Sequence, residues 1–544
     1  MKKVYLALFF IILLASVLRL WNLGDMPSGI TNDEAGYIYS SYSILKTGED
    51  LVGNFMPFSF NLDNSFSPIP VYLIIPFLSF FGISPFSGRL VFALAGIGSV
   101  ILVFLIAKNQ FNSKIAFFSS LMMSVSAWHL QVSRIAYDGG IALFFYLFGI
   151  YIFLKNIKNE NTKKVLLSLP FFLLAFYSYH ATKIYFLALT AVLVIVFKKE
   201  LLKRKKVFFL FLFGVITIFF SFLYISMTQD VTRSSVFLFK DDKPSKMVNW
   251  EREKNTAPPL LKTIFSNKPL YFLRAIRENY LEAFSPQFLF LYGETSGLSS
   301  IYGVSFRGVM YIIELPLLIF GLIYLLNNKN KKIRNLIVLL LLISPFPSAL
   351  TKDRSYVMRS IMMMPFLLIT ASLGLHYLLT LIGRLSKPLK IISITSIIII
   401  YSFLISEYLY QYYFRYSVYS AEAWFGSERD LFYYLDKNKN EYKKVYIAEV
   451  EDMFVLQYAV FNRINPKLMQ EIWSKNWPKK IGDVNFINGC FDSGEIKYNP
   501  NFSLPDKTLY VVPDKCHKDF SPLIRINDRG EPLRTIWKIY QRTI

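Results

Sequence analysis

The sequence predicts an α-helical polytopic membrane protein of about eleven transmembrane helices, followed by a C-terminal extracytoplasmic α/β domain. Three observations carry that reading. Hydrophobic residues make up 54% of the 544-residue chain and aromatic residues 17%. Charged residues make up 18%, against about 25% in soluble domains. The charges are also clumped into short dense clusters between long uncharged stretches, the pattern of spans and loops.

Runs without Asp, Glu, Lys or Arg fall at 4–18, 90–107, 115–133, 139–154, 165–182, 184–197, 207–229, 335–351, 360–383 and 391–406. The stretch 308–328 is similar but for Glu314. The shorter runs need apolar flanks to reach the ~20 residues of a span. The first begins after Met1-Lys2-Lys3 and is followed by Arg19-Leu20-Trp21 rather than by small residues. It reads as an uncleaved first span rather than a signal peptide. The run 66–88 is uncharged but holds Pro68, Pro70, Pro76 and Pro85. Proline removes backbone donors, which bare lipid tolerates poorly, so this stretch is expected to be interfacial or re-entrant.

Charge parity supports that count. With eleven spans and a cytoplasmic N-terminus, the Lys/Arg clusters at 108–114, 155–164, 198–206, 329–334 and 384–390 all face inward. The short outer segments hold only Arg89, Arg134, Lys183, Lys352, Arg354 and Arg359. A twelfth span at 66–88 would turn every later cluster outward, against the positive-inside rule. The same rule accounts for the net charge of +23, and no nucleic-acid partner is called for. The chain is thus expected to be a multi-pass cell-membrane protein in contact with membrane lipid. Residues 1–408 form its transmembrane module and 409–544 its extracytoplasmic domain. The outer pieces are a first loop at 23–88, a second at 230–307, and the tail. Strand-like segments lie at 445–448 and 509–512 of the tail, and helical patterns at 428–435 and 453–461. Cys490 and Cys516 form no Cys-x-x-Cys pair, so zinc is unsupported; a disulfide and two free thiols are both open.

The first outer loop carries the densest set of chemical signals: Arg19, Met26-Pro27, Asp33-Glu34, Tyr37, Gly48-Glu49-Asp50 and Ser67-Pro68-Ile69-Pro70-Val71-Tyr72, then Phe81-Gly82 and Ser87-Gly88-Arg89-Leu90. The bland account of the acid pair is helix chemistry, with Asn32 or Asp33 capping a helix that starts near Glu34. The ordered set, however, resembles the GT-C superfamily of glycosyltransferases, in its protein O-mannosyltransferase and aminoarabinose-transferase-like branch. The likeness covers the first 200 residues by motif and the later spans by topology. Enzymes of that branch use polyprenyl-phosphate sugars. The resemblance implies Asp33 as base, Glu34 supporting it or contacting the acceptor, and inversion at the anomeric carbon.

That chemistry needs little. The leaving group is a lipid phosphate, stable as an anion, so it requires charge stabilisation rather than a general acid. The acceptor hydroxyl benefits from a carboxylate base. One carboxylate and several cations suffice, unlike the carboxylate pair of glycosidases, and no cofactor is needed. Arg19, Arg89 and Arg134 are the candidate phosphate ligands, since Arg binds phosphate bidentately; snorkelling to the interface is the plain alternative. Further candidates for substrate contact are Tyr37, Asp138, His180, Lys183, Asp353, Arg354 and Arg359. Asp138 could instead pair with Arg134 at a helix end. No Asp-x-Asp is present, which argues against a metal-dependent nucleotide-sugar enzyme while leaving a divalent metal open. The donor is expected to be a polyprenyl-phosphate-linked sugar, and the acceptor a protein, lipid or glycan. The competing readings are a transporter or flippase of lipid-linked sugars, which would place ionisable residues in its spans, and a non-catalytic scaffold.

Overall fold

The computed structural model describes residues 2–62, 65–158, 162–228, 237–240, 243–294, 301–352, 356–438, 441–490, 507–516 and 521–541. It is a multi-pass helical membrane bundle carrying a small mixed sheet at its C-terminal end. Helix α1 (Lys2–Leu20) leads to α2 (Asn32–Thr47), a two-residue hairpin of β1 (Phe60–Asn61) and β2 (Ser65–Phe66), α3 (Pro68–Phe81) and α4 (Pro85–Gln110). Next come α5 (Ser113–Val125), α6 (Ala127–Val132), α7 (Asp138–Asn156), α8 (Ser168–Phe176), α9 (Thr182–Leu202) and α10 (Lys205–Thr228). The second outer stretch holds α11 (Lys243–Glu253), α12 (Pro259–Phe265) and α13 (Lys268–Glu282). The bundle closes with α14 (Glu314–Leu326), α15 (Lys331–Ile343), α16 (Phe346–Ala349), α17 (Tyr356–Arg359), α18 (Met363–Ile382) and α19 (Lys387–Tyr410).

Each apolar run of the sequence lies on this helical framework. Among the described residues, six helices are by themselves long and apolar enough to cross a membrane: Pro85–Gln110, Asp138–Asn156, Lys205–Met227, Lys331–Ala349, Met363–Ile382 and Lys387–Tyr419. The other runs fall on shorter or interrupted helices. The run 115–133 breaks at Ser126, whose ψ of 127° separates α5 from α6, and α9 kinks at Phe197. α14 has only 13 residues, about 20 Å at 1.5 Å per residue. It is held against α18 by close backbone approach: a Cβ on Gly321 would stand 1.9 Å from the Thr370 carbonyl, and one on Gly374 1.8 Å from that of Leu317. Such small-residue seams suit helices that gain little from hydrophobicity in lipid. The proline-rich α3 has 14 residues, short of the ~30 Å hydrocarbon core, and packs on α2 and α4.

After α20 (Ser417–Tyr419), the tail folds as α21 (Gly426–Asn438), β3 (Lys444–Ile447), α22 (Asp452–Phe461), α23 (Pro466–Trp473), β4 (Lys479–Ile481), β5 (Val484–Phe486), β6 (Thr508–Pro513), β7 (Ile524–Asn527) and β8 (Thr535–Gln541). The sheet order is β4-β5-β3-β6-β8-β7. β3 runs parallel to both β5 and β6, while the outer pairs are antiparallel. The two strand-like and two helical segments read from the sequence are β3, β6, α21 and α22. Cys490 and Cys516 form a disulfide with Cα atoms 5.3 Å apart, within the normal range.

Candidate functional site

The acid pair sits in the first turn of α2, and its N-cap is Thr31, not Asn32 or Asp33 as the helix reading of the sequence expects. Thr31 Oγ1 accepts the Glu34 N–H at 3.3 Å. The helix therefore starts two residues earlier than expected. Asn32, Asp33 and Glu34 all lie within its first turn and point in three directions.

Glu34 points inward. Its side chain is fully buried and forms a two-pronged pair with Arg89: Nε donates to Oε1 at 2.9 Å and Nη2 to Oε2 at 2.7 Å. Oε1 also accepts the Ala136 N–H at 2.8 Å. Arg89 completes its hydrogen bonding with the carbonyls of Leu23, Pro27 and Gly29. All five N–H donors of its guanidinium are thus taken up inside the protein.

The other two arginines are employed similarly. Arg134 is buried at 0% exposure. It donates to the carbonyls of Leu18 and Arg19 at 3.0 and 2.9 Å, to those of Asn22 and Met26, and to Tyr412 Oη. It thereby caps the C-terminal carbonyls of α1. Arg19, also at 0%, donates to Ser124 O at 3.0 Å and Met123 O at 3.3 Å at the end of α5, and to His129 Nδ1 at 2.8 Å. Helix C-termini carry orphan carbonyls and partial negative charge, and these guanidinium groups satisfy both. Arg19, Arg89 and Arg134, the expected phosphate ligands, thus staple helix ends and the first loop in this structure. The Arg134–Asp138 pair is not formed either. Glu34 is likewise enclosed.

Asp33 is different. It is partly exposed, and its charge acts on two buried tyrosines, Tyr137 and Tyr302. Tyr137 donates to Thr31 Oγ1 at 3.0 Å and stacks edge-on against Tyr302. Burial holds the Tyr302 hydroxyl protonated well above the usual tyrosine range, and the fields of Asp33, Tyr179, Glu294 and Asp138 add to the effect. Burial likewise raises Tyr137, with Tyr302 and Asp33 contributing. Three carboxylates from distant parts of the chain thus converge on one tyrosine. Asp138, at the start of α7, accepts from Tyr37 Oη at 2.9 Å and Ser67 Oγ at 3.2 Å, which ties Tyr37 into the same wall. Glu294 accepts the Val357 N–H at 2.7 Å.

The remaining candidates lie elsewhere along the helix ends. Lys183 and His180 stand at the start of α9, half-exposed, with Nζ 3.0 Å from His180 Nδ1 and over the rings of Phe222 and Phe176. They follow Tyr179, which neighbours Tyr302. Arg359 donates to Thr351 Oγ1 at 2.7 Å. Asp353 and Arg354 lie outside the described residues. A cavity of about 600 Å³ is lined by Arg277, Glu278, Asn279, Leu281, Glu282, Ser285 and Tyr356. Asp33 does not line it. Glu449 lies close to Cys490 and Cys516, but with the sulfurs bonded to each other no thiolate is available to a metal.

Sequence reasoning missed Tyr137, Tyr302 and Glu294, and also Trp424. The Trp424 indole donates to Tyr416 Oη at 2.8 Å, and its ring lies under Arg89, 5.6 Å from the guanidinium carbon. No spacing signal marks any of them, because each meets the site from far along the chain.

Residues 65–225 match the family described as dolichyl-phosphate-mannose-protein mannosyltransferase. The matched stretch runs from β2 to α10, so Asp33 and Glu34 precede it. The crystal structure of ArnT from Cupriavidus metallidurans bound to undecaprenyl phosphate is similar over nearly the whole molecule. It is 12% identical with a TM-score of 0.51, covering 98% of this chain and 97% of that one. At that identity the likeness is one of fold. An oligosaccharyltransferase from Archaeoglobus fulgidus, tethered with an acceptor peptide, is similar with 12% identity and a TM-score of 0.48, over 84% of this chain and 63% of that one. Comparison with curated protein sequences gave no match.

Proposed function

We propose that this protein is a glycosyltransferase that moves a monosaccharide from a polyprenyl-phosphate donor to an acceptor hydroxyl at the outer membrane face, with Asp33 as the base and inversion at the anomeric carbon. The observation that carries the reading is the placement of Asp33. It is the partly exposed member of a first turn whose neighbour Glu34 is clamped by Arg89 and Ala136, and its charge acts on the buried Tyr137 and Tyr302. Such a carboxylate can take the acceptor proton as the hydroxyl attacks. The lipid phosphate leaves as an anion and needs only positive charge and hydrogen-bond donors.

With the three arginines built into the frame, we assign the phosphate to the cations of the outer mouth: Lys183 with His180, and the turn that carries Arg359. The hydroxyls of Tyr137 and Tyr302, kept protonated by burial, are suited to donate to sugar oxygens. Asp138, on the same wall, is placed to receive a sugar or acceptor hydroxyl. The transmembrane module 1–408 holds the reacting groups, and the domain 409–544 closes over them. The disulfide agrees with an oxidising, extracytoplasmic side for that domain, and the charge parity of the loops sets the N-terminus inside. The transporter reading loses its support, since the buried span residues are engaged in fixed contacts. Glu314 accepts from Tyr401 and the Tyr311 N–H, and His129 holds Arg19.

The test is release of free polyprenyl phosphate from a panel of radiolabelled polyprenyl-phosphate monosaccharides by purified, reconstituted protein. Asp33→Asn should abolish release while leaving the melting curve unchanged. Undiminished release by that variant removes Asp33 from its role. A product that keeps the donor's anomeric configuration removes the single-displacement mechanism.

A further inference from the structure

The first turn of α2 is clamped from outside as well as from within. Gln457 lies on α22, in the middle of an apolar helix that packs along α2, and is 1% exposed. A buried amide must find partners. Its Nε2 donates to Asn32 Oδ1 at 2.9 Å and to the Ile30 carbonyl at 3.2 Å. Both acceptors belong to the turn that presents Asp33. The far end of α2 is held separately: Gln470 of α23 donates to the Asp50 carbonyl at 2.8 Å and reaches Ser43 and Thr47, and Tyr39 Oη donates to the Ile464 carbonyl at 2.7 Å.

We infer that the C-terminal domain is part of the catalytic apparatus, and that Gln457 is a positioning residue that fixes the Asp33 turn through Asn32 and the Ile30 carbonyl. The inference rests on Asp33 as the base. An apolar side chain would fill this place in α22 equally well for packing; an amide there serves the two polar atoms of α2 opposite it. Asp33 then has Asn32 held from the C-terminal domain on one side and Glu34 held by Arg89 on the other. Misplacing a reacting group by about 1 Å can cost on the order of 100-fold in rate.

The experiment measures donor turnover by the full-length, reconstituted protein carrying Gln457→Leu, Asn32→Ala, both together, or Gln470→Leu. Gln457→Leu should lower kcat about 10- to 100-fold with the donor KM within about two-fold, and Asn32→Ala, at an exposed position, should lower kcat in the same direction. The double variant should be no slower than the worse single one, because both remove one link. Gln470→Leu, which acts away from the Asp33 turn, should keep the wild-type kcat. The inference is overturned if Gln457→Leu keeps the wild-type kcat, if the two single effects multiply, or if Gln470→Leu matches Gln457→Leu, since domain docking alone would then explain the loss. If Gln457→Leu does not fold, Asn32→Ala decides: wild-type kcat there overturns the inference. Failure of the base itself is distinguished by Asp33→Asn. An active Asp33→Asn defeats the underlying reading, whereas a dead Asp33→Asn beside a fully active Gln457→Leu defeats only the positioning role.

Discussion

Replacing Arg89 separates a structural cation from a substrate-binding one. Its side chain and that of Glu34 are both 0% exposed, and the pair is joined by two hydrogen bonds of 2.9 and 2.7 Å. Arg89→Met leaves the Glu34 carboxylate in the interior with only the Ala136 N–H. Breaking a buried pair from one side costs about 3–5 kcal/mol. The carbonyls of Leu23, Pro27 and Gly29 lose their donors in the same step, and an orphaned buried acceptor costs about 1–3 kcal/mol when water cannot reach it. Against a total stability of about 5–15 kcal/mol, the expected outcome is a large drop in melting temperature and in folded yield. Adding Glu34→Gln should recover part of the loss, because it removes the uncompensated charge. The assay is thermal unfolding in detergent for both single variants and the double, with donor KM measured on whatever folds. If Arg89→Met melts like the wild type but raises the donor KM at least ten-fold, the guanidinium serves the lipid phosphate and the structural assignment is wrong.

Three further outcomes follow from the tail. Gly29→Ala would push a methyl group to 2.0 Å from the Trp424 carbonyl and 2.7 Å from that of Phe425; it should loosen the domain from the first loop, measured as faster proteolysis between α19 and α21. Burial, with Glu422 and Asp430 nearby, pushes the Glu428 carboxyl from its ordinary 4.5 up to about 7. The folded chain then holds a proton that the unfolded chain has released, so stability should fall as the pH rises from about 4.5 to 7, and Glu428→Gln should flatten that slope in a melting-temperature series. Opening the Cys490–Cys516 disulfide frees a loop of sequence separation 26, which by loop entropy costs about 3–4 kcal/mol. Cys490→Ser should lower the unfolding temperature of the tail domain measurably, and an unchanged transition would show that the staple is redundant.

The spans were legible in the sequence because hydropathy is a property of contiguous residues, and lipid enforces it residue by residue. β3, β6, α21 and α22 were legible for the same local reason. The three arginines were legible as helix-end residues but not in what they hold. Sequence places Arg19, Arg89 and Arg134 at helix ends, where a snorkelling arginine, a phosphate ligand and a helix-end staple look alike. What distinguishes them is the set of carbonyls they meet: Ser124 for Arg19, Leu18 for Arg134, Gly29 for Arg89. Those partners are 60 or more positions away. The α2 cap was misplaced by a smaller margin, since Thr31, Asn32 and Asp33 are all good capping residues and only the chain's entry into the helix chooses among them. Tyr302, Glu294 and Gln457 carried no signal, as each is defined by a long-range meeting with the first loop.

The distribution of charge in this site also has a chemical logic. In the proposed reaction the phosphate leaving group removes the need for a general acid, so the demand falls on holding one base at a fixed distance from a hydroxyl. Holding a base still is a mechanical requirement, and the structure meets it with its strongest directional groups. Guanidinium forks pin α1, α5 and the first loop, and a carboxylate pins α2 to α4. Buried amides tie α2 to the C-terminal domain. A lysine in Arg89's place would keep the charge but not the five-donor fork, and would leave at least two of its acceptors without a donor. Arg89→Lys should therefore resemble Arg89→Met in stability more than it resembles the wild type. That ordering is expected of a geometric role and not of simple charge attraction to a phosphate, for which lysine would substitute well.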